Sequence, residues 1–174
     1  MESPLTEHDL FAFQDSLGIQ HTTYRHPPVF TVEEAQAARA EMPTGDGHRH
    51  SKNLFVRDKK KNHALVIAEE SAPINLKELA DKIGLGRISF ASSDRLIRFL
   101  GVRPGSVTPF ALLHAHKHPA EDQPDILVVI DEKLLEAELC YFHPLHNEAT
   151  TALRGDDLLA FMRACGVEPK VMRL

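Results

Sequence analysis

Tryptophan is absent, cysteine occurs only twice, and apolar residues never run long. Each scarcity excludes something. The longest apolar runs resemble ILVVI at 126–130, far short of the roughly 20 residues that span a bilayer. Cys140 and Cys165 make no disulfide framework, so a reducing, cytoplasmic setting is expected, with no membrane partner. The opening MESPLTEHDLF lacks a signal-peptide pattern. A formal net charge of −5 excludes a wholesale electrostatic nucleic-acid binder while leaving room for a local basic patch. No Walker loop, dinucleotide fingerprint, HExxH pair or GxSxG elbow occurs, so no cofactor or serine nucleophile is implied.

What is present is ordinary for a globular chain: 174 residues, 43% hydrophobic and 26% charged, without internal repeats or low-complexity tracts. That length predicts one domain over residues 1–174, large enough to bury roughly 70% of its unfolded surface. Thr6 caps a helix over 7–17 that Gly18 ends. HTTYRH reads as a short strand. Thr31 caps the next helix, Glu34 completing a capping box. PTGDGHRH (43–50) reads as a loop, and as a flap beside Lys52. SKNLFVRDKKKNHALVIA (51–68) reads as a hairpin turning between Asp58 and Asn62. Asn75 and Ser92 cap two further helices; RISFA, DILVVID, LCYF, EATTALR and the EPKVMRL tail read as strands. A helix starting at Asp156 or Asp157 closes at Gly166. The expected fold class is α+β (mixed α/β), with a central, mostly antiparallel sheet surrounded by helices.

Five groups of residues bear on chemistry. Lys52 alternates with Leu54 and Val56, so a charge points the way of two core side chains. It is either a lysine snorkelling from a strand end or a cation at a pocket wall, able to hold a phosphate or polarise an ester carbonyl. Gly105, Ser106, Val107, Thr108 and Pro109 form either a plain turn or a cradle of backbone donors and acceptors. His143, stiffened by the following proline, is a structural hydrogen-bonding residue, or recognises an amino group or ribose hydroxyl, or transfers a proton. Arg57, Lys59, Lys60 and Lys61 are a solvated hairpin tip or a phosphate-backbone contact. His114, His116 and His118 would share one face on a strand and suggest zinc, but the segment runs into loop composition and no metal site is expected there or at HRH (48–50).

Taken in order, HPPVFTVEEA, SKNLFVRDKKK, ADKIGLGRISFAS, LGVRPGSVTPFALL and CYFHPLHNEATTAL resemble the YbaK-like editing domains. That family includes the editing domain of bacterial prolyl-tRNA synthetase and the free-standing alanyl-tRNA(Pro) deacylases, the prolyl-tRNA synthetase associated domains, to which the chain is most similar. The resemblance spans about residues 20 to 169. It implies a trans-editing hydrolase that deacylates mischarged tRNA, foremost Ala-tRNA(Pro), with the tRNA acceptor end and prolyl-tRNA synthetase as partners. It puts the family's essential lysine on Lys52, its GxxxP loop on Gly105–Pro109 and its pocket-edge histidine on His143. It implies no metal, and activation of water by a tRNA ribose hydroxyl. Three alternatives stand beside it: a deacylase for serine or cysteine, a non-catalytic tRNA- or synthetase-binding module of the same fold, and a metal hydrolase built on the histidine cluster.

Overall fold

The computed structural model describes residues 4–174. Helix α1 (Glu7–Ser16) begins at a complete capping box: the Thr6 side chain accepts from Asp9 N–H, and the Asp9 carboxylate accepts from Thr6 N–H. Strand β1 (Thr22–Arg25) follows. Helix α2 (Val32–Arg39) is capped by Thr31, but the expected capping box is only half made. Glu34 turns its carboxylate to Phe30 N–H at 2.9 Å instead of Thr31 N–H.

Strand β2 (His48–Arg57) is longer than expected. Residues 48–50, read above as loop and flap, belong to it because they pair in parallel with β6 (Leu139–Phe142). Only 43–47 remains irregular. Strand β3 (His63–Glu69) is buried along its whole length, and α3 (Leu76–Ile83) is capped by Asn75. RISFA shrinks to the two-residue β4 (Ser89–Phe90) before α4 (Ser93–Leu100). Pro109–Ala111 form a 3-10 turn that leads into α5 (Leu112–Lys117). The histidine-rich segment is therefore mostly helix, held by the buried Leu112 and Leu113. Strand β5 (Ile126–Asp131) and the short α6 (Glu132–Leu135) precede β6. The chain closes with β7 (Ala149–Leu153), α7 (Gly155–Ala164) and β8 (Lys170–Met172). Helix α7 starts earlier than expected; Asp156 and Asp157 occupy its first turn, where acidic side chains suit the helix dipole.

The eight strands form one sheet in the order β1-β7-β6-β2-β3-β5-β8, with β4 also on β2. The fold is α+β, but the sheet is mixed, not mostly antiparallel. The β2–β6, β3–β5 and β5–β8 pairs are parallel, and the other four pairs are antiparallel. Chain reversal through helices, not hairpins alone, accounts for this. One face carries the main core, including Phe55, Phe99, Phe110, Phe142 and Phe161. On the other, Val56, Val66 and Val129 pack against α3, and Tyr141 and Ala152 pack with Met42.

Gly155 sits where α6 meets α7. A Cβ there would lie 2.4 Å from the carbonyl oxygens of Leu134 and Leu135. Both are backbone atoms, so the clash has no flexible side chain to absorb it. Gly155→Ala is expected to cost about 2–3 kcal/mol, the upper range for overpacking, read as a lower urea midpoint. A loss below about 0.5 kcal/mol would mean that α6 recedes freely.

Candidate active site

Residues from 26–53 and 141–150 line a half-open cavity of about 90 Å³. Ala35, Ala38, Arg39 and Met42 line it from α2 and just beyond. His50, Ser51 and Asn53 of β2 line it too, with Tyr141, Phe142, His143, Thr150 and His26. Helix α2 is tied over it by a bidentate ion pair, Arg39 Nη1 and Nη2 donating to the Glu70 carboxylate at 3.0 and 2.5 Å.

The polar groups of the lining are oriented by their neighbours. His143 Nδ1 lies 2.9 Å from Ala149 O. A carbonyl only accepts, so Nδ1 carries the proton and Nε2 of the neutral ring is an acceptor. Burial, reinforced by His26 and His146, lowers the His143 pKa despite the bond to Ala149, so the ring is neutral at pH 7. His26 donates from Nδ1 to Pro27 O at 2.8 Å, and its Nε2 is hydrogen-bonded to the Thr150 hydroxyl at 2.8 Å. Tyr141 donates to Pro43 O and accepts from His48 Nδ1 at 2.7 Å. His50 stacks on the Tyr141 ring, centroids 4.4 Å apart. Burial, then the nearby Arg39, pushes His50 down to about 4. Asn53 Nδ2 donates to Ser51 Oγ at 3.2 Å, while its Oδ1 is buried without a partner among the described residues. A buried acceptor left so costs about 1–3 kcal/mol, and a donor from outside the chain would relieve it.

Of the residues singled out in the sequence, His143 lines this cavity. Lys52 does not, though its neighbours Ser51 and Asn53 do. Its half-buried side chain lies on the face of Leu54 and Val56, and its amine donates to Ala72 O in the turn after β3. Among the described residues no carboxylate pairs with it, although Arg25, Arg39, Arg98, Arg154, Arg163 and Arg173 each sit on one. The Gly105–Pro109 turn is real, with Gly105 at φ +87. Ser106 N–H is engaged by Arg103 O at 3.0 Å and Thr108 is fully buried, so of these three only Val107 is partly exposed, and no residue of the turn lines the cavity. The turn abuts the His143 loop: a Cβ on Gly105 would lie 3.7 Å from Asn147 Nδ2.

Arg57 and Lys59–Lys61 crown the hairpin. Buried Asp58 knits it, accepting from Asn62 N–H and Nδ2 at 2.9 Å and from Gly86 N–H; the Asn62 bonds hold its carboxyl below the usual range. About seven strand residues separate this tip from the cavity, roughly 20 Å. Arg87 and Arg95, also without a carboxylate partner among the described residues, stand near the tip. Gly86 binds Asp58, and Arg95 lies 3.4 Å from His63 Nε2. His114 and His118 come together, ring centroids 5.9 Å apart, while His116 faces Gly166. Among the described residues no group of three metal-ligating side chains forms.

A model of the aminoacyl-tRNA editing domain matches residues 26–161. This chain belongs to that family. It is 37% identical over 161 residues to the prolyl-tRNA editing protein ProX of Acetoanaerobium sticklandii, covering 92% of each chain. It is 35% identical over 162 residues to prolyl-tRNA synthetase associated domain-containing protein 1 of Mus musculus, covering 90% of this chain and 89% of the relative. The solved structure of hypothetical protein APE2540 shares the fold, with a TM-score of 0.68 at 19% identity, over 94% of this chain and 97% of that one.

Sequence reasoning missed His26, His50, Asn53 and Tyr141. Alternation along β2 was the signal for two of them: His48, His50 and Lys52 share one parity, and Asn53 shares the other with Phe55. The buried histidines predict a pH response. His50, His63, His114 and His143 all have lowered folded values, burial first in each. The unfolded rings titrate near 6.5, so between there and about 4 the unfolded state binds more protons and stability falls as pH falls. The urea midpoint should drop from pH 7 to pH 4.5, and His50→Gln should flatten that slope. An unchanged slope would place His50 in contact with solvent.

Proposed function

We propose that this chain hydrolyses the ester of a mischarged tRNA, with Ala-tRNA(Pro) as the foremost substrate. The observation that carries the reading is a cleft of about 90 Å³ lined by His143, Ser51 and Asn53, the last two flanking Lys52 in sequence. A synthetase pocket shaped for proline cannot exclude alanine sterically, because missing methylenes are worth only about 1–3 kcal/mol; a second, smaller sieve supplies the discrimination. Asn53 Oδ1 is the acceptor for the α-ammonium of the aminoacyl group, and His143 Nε2 is the acceptor for a ribose hydroxyl. The partly exposed Val107 of the Gly105–Pro109 turn contacts the terminal adenosine.

Lys52 acts as an electrostatic anchor. Its ammonium is held by one carbonyl, so it can turn to the terminal phosphate or to the oxyanion that forms when water adds to the ester carbonyl. Collapse of that intermediate breaks the acyl–oxygen bond, the proton goes to the ribose oxygen, and the free amino acid leaves. No side chain forms a covalent intermediate, in keeping with the burial of both thiols: it pushes Cys165 up to about 12 and Cys140 higher still. The hairpin tip, with Arg87 and Arg95, holds the RNA backbone further along the substrate, and prolyl-tRNA synthetase is the natural neighbour of such an editor.

Purified protein should release alanine from Ala-tRNA(Pro) and leave Pro-tRNA(Pro) intact; a panel with seryl and cysteinyl esters fixes the amino acid. Lys52→Ala should lower kcat/KM at least about 100-fold, the scale of a lost oxyanion contact, with the urea midpoint unchanged. Retained activity would refute the lysine's role, and inertness of the wild-type protein on every ester would leave a binding module. Replacing Lys59, Lys60 and Lys61 together with alanine should raise KM about tenfold and flatten its salt dependence, without changing kcat. An unaltered KM would return the tip to a solvated turn.

A further inference from the structure

His143 is delivered by an unusual loop, and that loop is held from a part of the chain outside the family match at 26–161. Leu145 takes φ +74, a left-handed conformation that a branched side chain holds only when its surroundings impose it. Leu145 is half-buried against the main core. The next residue, His146, accepts at Nδ1 from Glu148 N–H at 3.1 Å. Its proton therefore sits on Nε2, which donates to Glu7 Oε2 of α1 at 3.1 Å. The same carboxylate takes Arg25 Nη1 on both oxygens, at 2.7 and 2.9 Å. Burial acts to raise the Glu7 carboxyl, but the bonds from Arg25 and His146 outweigh it and hold it below the usual range. His26 N–H donates to Glu148 O at 3.1 Å, so the far end of the loop is joined to a second residue of the cavity lining.

We propose that α1 is part of the editing site: Glu7, through His146, is a positioning residue that clamps the 143–148 loop and fixes the direction of His143 Nε2. The inference rests on the deacylase reading for its kinetic consequence but not for its structural one. Without the clamp, the left-handed Leu145 loses one of the constraints that oppose its relaxation, and the ring at His143 is free to shift. A shift of about 1 Å at a group that orients substrate is enough to cost on the order of 100-fold in rate.

The test uses the full chain. Glu7→Ala and His146→Leu should each lower kcat on the cognate aminoacyl-tRNA about 10- to 100-fold while KM stays within about twofold. His146→Gln keeps a donor near the Nε2 position and should restore kcat to within about twofold of wild type. The ¹⁵N shifts of the His143 ring should report a single Nδ1–H tautomer in wild type and in His146→Gln, and an averaged one in Glu7→Ala. Wild-type kcat with unchanged ring nitrogens in Glu7→Ala and His146→Leu would overturn the proposal. So would a kcat loss that follows the urea midpoint and is not rescued by glutamine. If the wild-type protein hydrolyses no ester, the deacylase reading fails, and the ring nitrogens alone still decide whether Glu7 orients His143.

Discussion

Strand β2 changes partners along one edge, and the site depends on that change. From His48 to His50 this edge pairs with β6, and it pairs again only at Val56, with β4. Between those points Ser51 Oγ reaches Tyr141 O, but no ladder runs. A sheet interrupted in this way leaves backbone and side chains of 51–53 open to a ligand while β3 still holds the strand rigid on its other edge. Functional groups on such a braced strand are placed more accurately than groups on a loop. Lys52 stands in this gap.

The electrostatics around the gap are consistent with its use. Burial keeps His50 and His143 neutral at physiological pH, and His143 Nε2 is left as an acceptor. The guanidinium nearest the cavity, Arg39, is matched by Glu70 and serves to tie down α2. Lys52 is thus a half-buried positive charge whose hydrogen bond goes to a neutral carbonyl. A cation so held has little to lose by turning to an anion, since the carbonyl gives only the modest net energy of one hydrogen bond to a charged group, about 1.5–3 kcal/mol.

Much of this was legible in the sequence where the chemistry is local. Thr6, Thr31, Asn75 and Ser92 cap helices because a short oxygen reaches an unsatisfied N–H within three residues, and that needs no knowledge of the fold. The 58–62 turn was legible for the same reason. The sheet was not. Whether β2 meets β6 in parallel depends on how the intervening chain reverses, and alternation of side chains is the same in both senses. His48–His50 read as loop because Gly45 and Gly47 suggest one. Gly47 is better explained by Glu138, whose Cβ would lie 2.8 Å from a Cβ at that position. The HAHKH helix was hidden because its stabilisation comes from Leu112 and Leu113 in the core, not from its own propensities.

The same division applies to the site. Lys52 could be placed on a strand face from its neighbours, but where its amine goes was decided by Ala72, twenty residues on and across the β2–β3 hairpin. Asn53 carries no signal in the strand pattern, and only the fold buries its oxygen without a partner among the described residues. Such an atom raises the energy of the unliganded fold, and a chain retains that cost where binding relieves it. The unmatched acceptor on Asn53 lines the cavity, whereas the ammonium of the adjacent Lys52 is held outside its lining by Ala72 O, so one strand supplies both groups through side chains that leave it on opposite faces.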